Sequence, residues 1–408
     1  MSVPVKSVPT SLKMARSPIF YTGKNNAQTN DTLIYMSLNL KFWSGLRSSP
    51  PSANNYSLIK NTSINQVINF EVSNLISSEF LHDFNIYNDI GYSQSPAGEV
   101  LWTNGTGEWK YSDNSAVPVV ALWSASGQTD AFLTTSGWAA LPNVSNTSVS
   151  SGVVVLSVPR TRYVFTSNFE SLAIYSNTSN AFAKIRIRWN NGDEDDFLNN
   201  DGSQDIPDRS TLNTQTQVIY AGVGPANLNN NSAIDASIKP SNHTTGDYYD
   251  VILLDDGDSE LTRVKYELTC EPKYTPYQIS FVNRYGVTDF ITFFKASTEA
   301  GNFTNSSFKR SIYQDGFTSP SLQNAQYQDF NINSRNSITM NTGWVDESYN
   351  DVIEDILMSE DVAVLIGTNW VAANPTRGTV EYQKSVNVGV INYTVIFTLA
   401  FNERPLLK

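Results

Sequence analysis

Cysteine and histidine are scarce in this sequence. Its 408 residues contain one cysteine, Cys270, and two histidines, His82 and His243. One thiol cannot form an intrachain disulfide, and three such residues cannot supply the four ligands of a structural zinc site. A hydrolytic triad needs a histidine beside a nucleophile, and no Gly-x-Ser-x-Gly elbow accompanies either histidine. The scarcity argues against a disulfide framework, a zinc site and triad chemistry.

Charged residues are also few, at 16% of the sequence, and the formal net charge is -12. Binding to nucleic acid or to an anionic membrane surface requires lysine and arginine to neutralise phosphate groups. An acidic chain with few charges is poorly suited to either partner. We therefore expect no specific nucleic-acid partner.

The sequence has no apolar run long enough for a signal peptide or a membrane span. We therefore expect a soluble chain that is made in a cytoplasm and is not inserted into a membrane. The Asn-x-Ser/Thr triplets, such as Asn104-Gly105-Thr106, then follow from the abundance of these residues and do not mark glycosylation.

Acidic residues gather in the stretch Asp193–Asp208, which is rich in turn-forming residues. Aligning Gly202 with the invariant glycine of an EF-hand loop puts Phe197 at the first ligand position, so the calcium template fails. We predict a solvated acidic loop and leave a calcium ion as the alternative. Paired carboxylates of a glycosidase also stay open, because their spacing is set in space. No motif indicates a cofactor or a catalytic residue, so none is predicted.

Aromatic and β-branched residues in alternation are what the sequence does contain. In the stretch Tyr277–Ser297, two alternating runs flank Asn283-Arg284-Tyr285-Gly286, which predicts a hairpin that is at least half buried. From Ile34 to Phe42 every other residue is apolar, which predicts a strand. With turn residues between such segments, the sequence predicts a mainly β protein of two or three antiparallel β-sandwich-like domains with a few short helices.

Helical spacing is rarer. One apolar stripe predicts an amphipathic helix over residues 345–359, and a shorter stripe predicts a short helix after Ser73-Asn74, capped by these two residues. The segment Ile391–Phe401 is apolar on one face and weakly polar on the other. We expect it to be a strand that is central in its sheet or paired with another subunit. As an exposed edge strand, a segment this apolar would promote aggregation.

These patterns divide the chain into four predicted segments. They are an extended N-terminal arm over residues 1–16, a β domain over 17–159, a β domain with the acidic loop over 160–272, and a β domain with the amphipathic helix over 273–408. Lacking periodicity, the arm is expected to lie free or on a neighbouring subunit and to be dispensable for folding.

A basic stripe is the candidate for a partner interface. Lys184, Arg186 and Arg188 share one face of a predicted strand, and Ile185 and Ile187 share the other. Such a stripe could meet an acidic neighbouring subunit, because charge complementarity favours association. A strand face that is merely solvated is the alternative.

Several segments together resemble virion structural proteins of tailed bacteriophages, especially those of marine and Bacteroidetes hosts. These segments are YAGVGPANL (220–228), LTCEPKYTPYQISFVNRYGVTDFITFFKAS (268–297), NSITMNTGWVDESYNDVIEDILMSE (336–360) and VNVGVINYTVIFTLAFN (386–402). None of them contains a catalytic motif. The resemblance therefore implies a β-rich building block that assembles in many copies, and it implies no enzymatic residues.

The function expected from this resemblance is that of a non-enzymatic virion protein in a tail, tail-tip, baseplate or neck. Its partners would be other virion proteins and further copies of itself in a ring or trimer, and the virion would assemble in the host cytoplasm. A glycan- or receptor-binding module that recognises a host-surface glycan is the main alternative. A capsid decoration protein and a polysaccharide depolymerase are the remaining ones.

Overall fold

A computed structural model gives the fold for the greater part of the chain. The structure describes residues 5–7, 12–24, 33–45, 49–61, 67–82, 91–94, 100–111, 116–118, 132–135, 137, 148–149, 153–176, 184–198, 218–232, 234–255, 257–270, 273–311, 326–378 and 390–402. These residues lie mostly in antiparallel β-sheets, and their helices are short. The mainly β, sandwich-like fold class predicted from the sequence is therefore confirmed.

The chain forms two compact units. The first unit comprises residues 1–270 and 280–291, and the second comprises residues 271–279 and 292–408. The domain boundaries predicted near residues 160 and 272 stay predictions.

The strands before residue 270 all belong to the first unit. They are β1 Val5–Ser7, β2 Leu12–Met14, β3 Phe20–Lys24, β4 Leu33–Trp43, β5 Tyr56–Asn61, β6 Val67–Glu71, β7 Gly91–Gln94, β8 Val100–Tyr111, β9 Ala116–Pro118, β10 Phe132–Thr135, β11 Ser148–Val149, β12 Val153–Val155, β13 Thr161–Val164, β14 Ser171–Ser176, β15 Lys184–Trp189, β16 Glu194–Leu198, β17 Val218–Gly222, β18 Tyr248–Leu254 and β19 Glu260–Leu268.

Four sheets contain these strands. Sheet 1 has the order β1-β3-β6, and sheet 2 has the order β11-β2-β10-β8-β4-β5 with β9 paired to β8. Sheet 3 has the order β12-β14-β17-β7, and sheet 4 has the order β13-β19-β18-β15-β16. The β2–β10 and β13–β19 pairs are parallel, and the other described pairs of these sheets are antiparallel.

The predicted alternation of β4 is confirmed. Met36, Leu38 and Leu40 are fully buried, and the residues between them are partly exposed. The buried face joins a core with Tyr21 and with helix α1, Ser73–Ser77. The predicted short helix is thus present, but its N-cap is Val72 and no side chain caps it.

The residues predicted as an N-terminal arm are partly built into these sheets. Strand β1 pairs with β3, and β2 pairs with β10 and β11. Ala15, next to β2, is fully buried, and Arg16 N donates to Gly137 O at 3.0 Å. The described part of the segment therefore pairs within its own unit.

Sheets 3 and 4 enclose a second core. Inward-facing residues of sheet 4, among them Ile187, Tyr249 and Tyr266, pack in one cluster with Ile174 and Ile219 of sheet 3. Every residue of β17 is buried, so sheet 3 is covered on both faces, whereas sheet 4 presents its other face to solvent. Three further elements follow β17 in the chain: helix α2, Pro225–Asn230, and two 3-10 turns, Ala236–Ile238 and Pro240–Asn242.

The predicted hairpin is confirmed and is more deeply buried than the sequence suggested. Its strands are β20 Tyr277–Val282 and β21 Thr288–Phe293, and all but the first of their residues are buried. The turn closes through Asn283, whose N–H donates to Val287 O and whose carbonyl accepts from Gly286 N. Gly286 has a φ of 76°, a left-handed conformation that glycine adopts without steric cost.

The remaining strands lie after residue 297. They are β22 Thr298–Lys309, β23 Tyr327–Asn341, β24 Val345–Asp346, β25 Val362–Ile366, β26 Asn369–Pro375, β27 Val390–Ile391 and β28 Thr394–Leu399. Sheet 5 has the order β21-β20-β25-β26-β28-β23-β22, and β24 pairs with β27. Strand β28 is central, as predicted for the segment that contains it.

The predicted amphipathic helix is shorter than expected. Helix α3 spans Tyr349–Met358, with Val352, Ile353 and Ile356 buried along one stripe. It starts four residues late because Val345 and Asp346 pair with β27, and the Asp346 carboxylate accepts a hydrogen bond from Ser348 N just before the first turn.

Candidate functional site

Strand β22 is the most exposed strand in the described part of the chain. Each of its twelve residues is exposed, and it lies at the end of the strand order of sheet 5. Along one side it pairs with β23, from Thr298 opposite Thr339 to Lys309 opposite Tyr327. Within the described residues, no strand pairs with its other side. The N–H and C=O groups along that side are available to a further strand.

Large apolar side chains are exposed on this pair of strands. The exposed fractions are 73% for Phe303, 45% for Phe308, 64% for Tyr327, 50% for Phe330 and 47% for Ile332. The rings of Phe308 and Phe330 meet edge to face, with centroids 5.7 Å apart. Single exposed apolar side chains are ordinary on protein surfaces, but five of them on one pair of strands favour an interaction surface. We call β22 and its exposed aromatic residues the β22 edge.

One acidic residue of the β22 edge has a partner within the second unit. The Tyr277 hydroxyl donates to Glu299 Oε1 at 2.7 Å. Partial burial and this hydrogen bond raise the pKa of Tyr277 to about 12. At the opposite end of β22, Lys309 Nζ lies 5.9 Å from the centroid of the Tyr327 ring. The strand thus carries a carboxylate near its start and an ammonium group at its end.

The structure places the predicted basic stripe on the solvent face of sheet 4. Lys184 and Arg186 are partly exposed and Arg188 is exposed, whereas the intervening Ile185 and Ile187 are buried. The predicted alternation is therefore confirmed. Whether the stripe contacts another subunit stays a prediction.

Acidic residues of the same unit surround the stripe. Arg186 Nε donates to Asp196 Oδ1 at 2.6 Å, and Arg188 Nε donates to Glu194 Oε2 at 2.8 Å. Lys184 Nζ lies 2.6 Å from Asp258 Oδ1, and this hydrogen bond raises the pKa of Lys184. The three basic groups are thus matched by carboxylates of their own sheet and its adjoining turn. This neutralisation reduces the charge that an acidic neighbour could recognise.

The first part of the predicted acidic loop is a strand. Residues 194–198 form β16, which pairs with β15 so that Glu194 faces Arg188 and Asp196 faces Arg186. The loop prediction is wrong for these residues, because cross-strand ion pairs with β15 stabilise an extended conformation. Residues 199–208 lie outside the described part. Among the residues that the structure describes, no group of three or more His, Cys, Asp or Glu side chains is placed to hold a metal ion.

A buried ionic cluster lies deeper in the first unit. Arg162 Nη2 lies 2.5 Å from Asp289 Oδ1, and Arg162 Nη1 lies 3.3 Å from Glu170 Oε2. The guanidinium also donates to the carbonyl groups of Val158 and Phe290, each at 3.1 Å. All three charged side chains are almost completely buried.

Asp289 fixes the hairpin turn to the segment before β13. Its Oδ2 accepts from Val158 N at 2.7 Å and from Asn283 Nδ2 at 3.2 Å. The same Asn283 amide group donates to Leu156 O at 2.9 Å. The cluster therefore ties residues 280–291 to the segment 156–162 through hydrogen bonds to both side chains and backbone.

The charges of the cluster follow from its burial. Burial lowers the pKa of the Arg162 guanidinium. The nearby Asp289, together with Tyr266 and Glu170, has the larger opposite effect, so the pKa is raised overall. Burial raises the pKa of Glu170 to about 7, although Arg162 opposes this shift. Arg162 is consequently charged at every accessible pH, and the carboxyl group of Glu170 gains or loses its proton near neutral pH.

Two carboxylates converge in this cluster, as they would in a glycosidase, but this pair is closed to a substrate. Glu170 and Asp289 converge on Arg162, and their side chains are 2% and 0% exposed. A glycan could not reach them without displacing the packing around β13 and β21. What the arrangement does chemically is hold two chain segments together.

His243 and Cys270, two of the scarce residues noted in the sequence, lie in different surroundings. The His243 ring stacks on buried Trp189 with centroids 3.5 Å apart, and its Nε2 lies 2.7 Å from Ser237 O. Cys270 is exposed shortly after the end of β19. Within the described residues, no helix is long and apolar enough to cross a membrane.

No family model matches the sequence, and no curated protein is similar to it. A solved structure of fibronectin(III)-like modules of CbhA from Clostridium thermocellum is similar at 11% identity with a TM-score of 0.17, covering 67% of this chain and 98% of that chain. A likeness at this level carries no argument about function.

Proposed function

We propose that this chain is a structural protein of a bacteriophage virion, in a tail, tail-tip, baseplate or neck, and that it acts by protein–protein assembly. The observation that carries the proposal is the β22 edge. A twelve-residue strand that is exposed along its whole length, with exposed aromatic side chains on it and on β23, is a template for pairing with another chain.

The rest of the chain is consistent with a building block. Its described surfaces offer no cluster of metal ligands, and the converging carboxylates are buried around Arg162. The basic residues of sheet 4 are matched by neighbouring acids, which leaves the β22 edge as the described surface with the strongest capacity for association. The sequence resemblance to virion proteins of tailed bacteriophages supplies the kind of particle.

The virion assignment is tested on particles. Virus particles are purified from a lysate in which the chain is made, and its copy number per particle is measured by quantitative mass spectrometry. We expect several copies per particle, with an antibody against the chain labelling the tail or neck in electron micrographs. Absence of the chain from purified particles would overturn the proposal, and labelling of the capsid shell would relocate it to a decoration protein.

The role of the β22 edge is tested with a double substitution, Phe303→Ser with Phe308→Ser. Because both rings are exposed, the variant should melt at the temperature of the parent chain. Its incorporation into particles should fall sharply. Phe20→Ser, which removes an exposed phenylalanine of the first unit, is the control and should leave incorporation unchanged. Equal incorporation of parent and double variant would contradict an assembly role for this edge.

A further inference from the structure

We infer that the partner of the β22 edge is β22 of a second copy of this chain, joined antiparallel about a two-fold axis that passes beside Thr304. This inference rests on the proposed assembly function and specifies its partner. In this register, each residue of β22 faces the residue equally far on the other side of Thr304 in the second copy. The two strands then overlap over residues 299–309.

Charge selects this register. Glu299 and Lys309 stand five positions before and after Thr304, so the two-fold axis sets Glu299 of each copy opposite Lys309 of the other. Opposite charges directly across an antiparallel pair stabilise it, and like charges destabilise it. A parallel pairing in register would instead put Glu299 opposite Glu299 and Lys309 opposite Lys309. Moving the axis by one residue in either direction separates both ion pairs.

The backbone permits this register. Alternate residues of an edge strand turn their N–H and C=O groups outward, so outward residues must face outward residues. Two residues equally far from Thr304 are always an even number of positions apart. Outward residues of one copy therefore face outward residues of the other along the whole strand. The β-bulge does not disturb it, because from Thr304 to Ser306 the partner strand runs from Asn333 to Phe330. The extra residue therefore lies on β23.

The side chains also suit a two-fold pairing. Thr304 meets its own counterpart at the axis, and paired threonines are favourable across antiparallel strands. Phe308 faces Ala300 of the second copy, and Phe303 faces Asn305, so neither ring meets a bulky residue directly across the pair. Apart from the two matched charges, the paired residues 299–309 carry no ionised side chain. Such a contact is isologous and closes at two copies.

A disulfide trap tests the register. In a Cys270→Ser background, Thr304→Cys places one thiol beside its counterpart at the axis, within reach of a disulfide. Asn302→Cys is the matched control, because the same register sets its two copies four positions apart. Under mild oxidation we expect the T304C chain to form a covalent dimer and the N302C chain to remain uncrosslinked. Efficient cross-linking of N302C without T304C would overturn the register.

Charge reversal tests the partner. Glu299→Lys and Lys309→Glu each replace two attractive pairs of the dimer with two repulsive ones, and each should weaken dimerisation by roughly tenfold to thirtyfold. The double variant E299K/K309E restores both pairs in reversed order and should dimerise like the parent. Tyr277→Phe controls for the hydrogen bond that Glu299 accepts, and it should leave dimerisation unchanged. Association is measured by sedimentation equilibrium and melting temperature by calorimetry.

The outcomes separate this inference from the proposed function. If the chain is incorporated into particles but the single reversals leave its self-association unchanged, the two-fold pairing is overturned and the assembly function stands. If the chain is absent from particles while the double reversal rescues the dimer, the pairing stands and the virion assignment falls. A parent chain that is monomeric at every concentration its solubility allows contradicts the pairing outright.

Discussion

The Arg162 guanidinium and the Asp289 carboxylate lie 2.5 Å apart, buried in the first unit, although 127 positions separate them in the chain. The pair joins β13 to the hairpin strand β21. Because a buried charge cannot be left without its partner, this contact holds the hairpin against the rest of the unit.

Asp289→Asn removes the carboxylate charge without changing the size of the side chain. We expect the free energy of unfolding to fall by about 3–5 kcal/mol, because the buried guanidinium loses its closest counter-ion. Asp258→Asn is the matched control, since Asp258 lies at 2.6 Å from Lys184 but at the surface, and it should leave the unfolding midpoint nearly unchanged. Denaturant titration measures both. A similar small effect of both substitutions would refute a stabilising role for the buried pair.

Glu170 makes stability depend on pH. Its pKa is about 7 in the folded chain and about 4.5 in the unfolded chain, so the folded state binds the proton more tightly. The stability that it contributes is complete below pH 4.5 and is lost as the pH rises through 7, by roughly 3 kcal/mol in total. The free energy of unfolding, measured between pH 4.5 and 8, should therefore decline. Glu170→Gln, which stays neutral throughout, should flatten the decline, and a profile of equal slope in both proteins would exclude this residue as its source.

The hairpin strands β20 and β21 supply core side chains that the sequence already marked. Phe281 and Phe293 are buried, at 0% and 1% exposure, and each substitution to alanine should cost about 3–5 kcal/mol. Phe303→Ala is the control, because the ring of Phe303 is exposed on β22, and it should change stability by no more than about 0.5 kcal/mol. Chemical denaturation gives all three values. A cost below about 1 kcal/mol at Phe281 or Phe293 would show that the ring is not packed as described.

Removal of residues 1–16 should destabilise the first unit, contrary to the expectation from the sequence. The deletion takes away β1 and β2 and the buried residues Met14 and Ala15. A cost of at least about 2 kcal/mol is expected, which is the usual loss for a buried methionine alone. Removal of residues 1–4, which contain no described strand, is the control. Equal thermal midpoints for the two truncations would restore the view that the segment is dispensable.

Local patterns predicted much of the fold. The sequence predicts the hairpin of β20 and β21, the strand β4 and the apolar stripe of helix α3. Each of these elements buries apolar side chains at the regular spacing of a strand or a helix, and that spacing can be read from neighbouring residues in the sequence. The start of α3 was misjudged. Pairing of Val345–Asp346 with β27 is a contact with a distant segment, and the apolar stripe does not report it.

The buried ionic cluster was not predicted, although one of its members left a signal. Asp289 stands among apolar and β-branched residues in Thr288–Phe293, and a carboxylate inside so apolar a strand requires a buried partner. The identity of the partner, Arg162, depends on how β13 and β21 meet in space. No spacing along a single sequence contains that information.

The β22 edge escaped prediction for a different reason. Thr298–Lys309 is exposed on both faces and consists largely of Thr, Asn, Ser and Gly. A strand that buries neither face has no alternation of apolar and polar residues, so it reads as a loop. The same absence of a buried face is what makes the strand available to another chain.

The interleaved path of the two units has a consequence for synthesis on the ribosome. The first unit needs residues 280–291, which leave the exit tunnel only after residues 271–279 of the second unit have been made. Until then the nascent chain contains Arg162 and Glu170 but not Asp289, the closest counter-ion of the guanidinium. The first unit therefore cannot be completed from residues 1–270 alone, and a fragment cut at residue 270 lacks the closest counter-ion of Arg162.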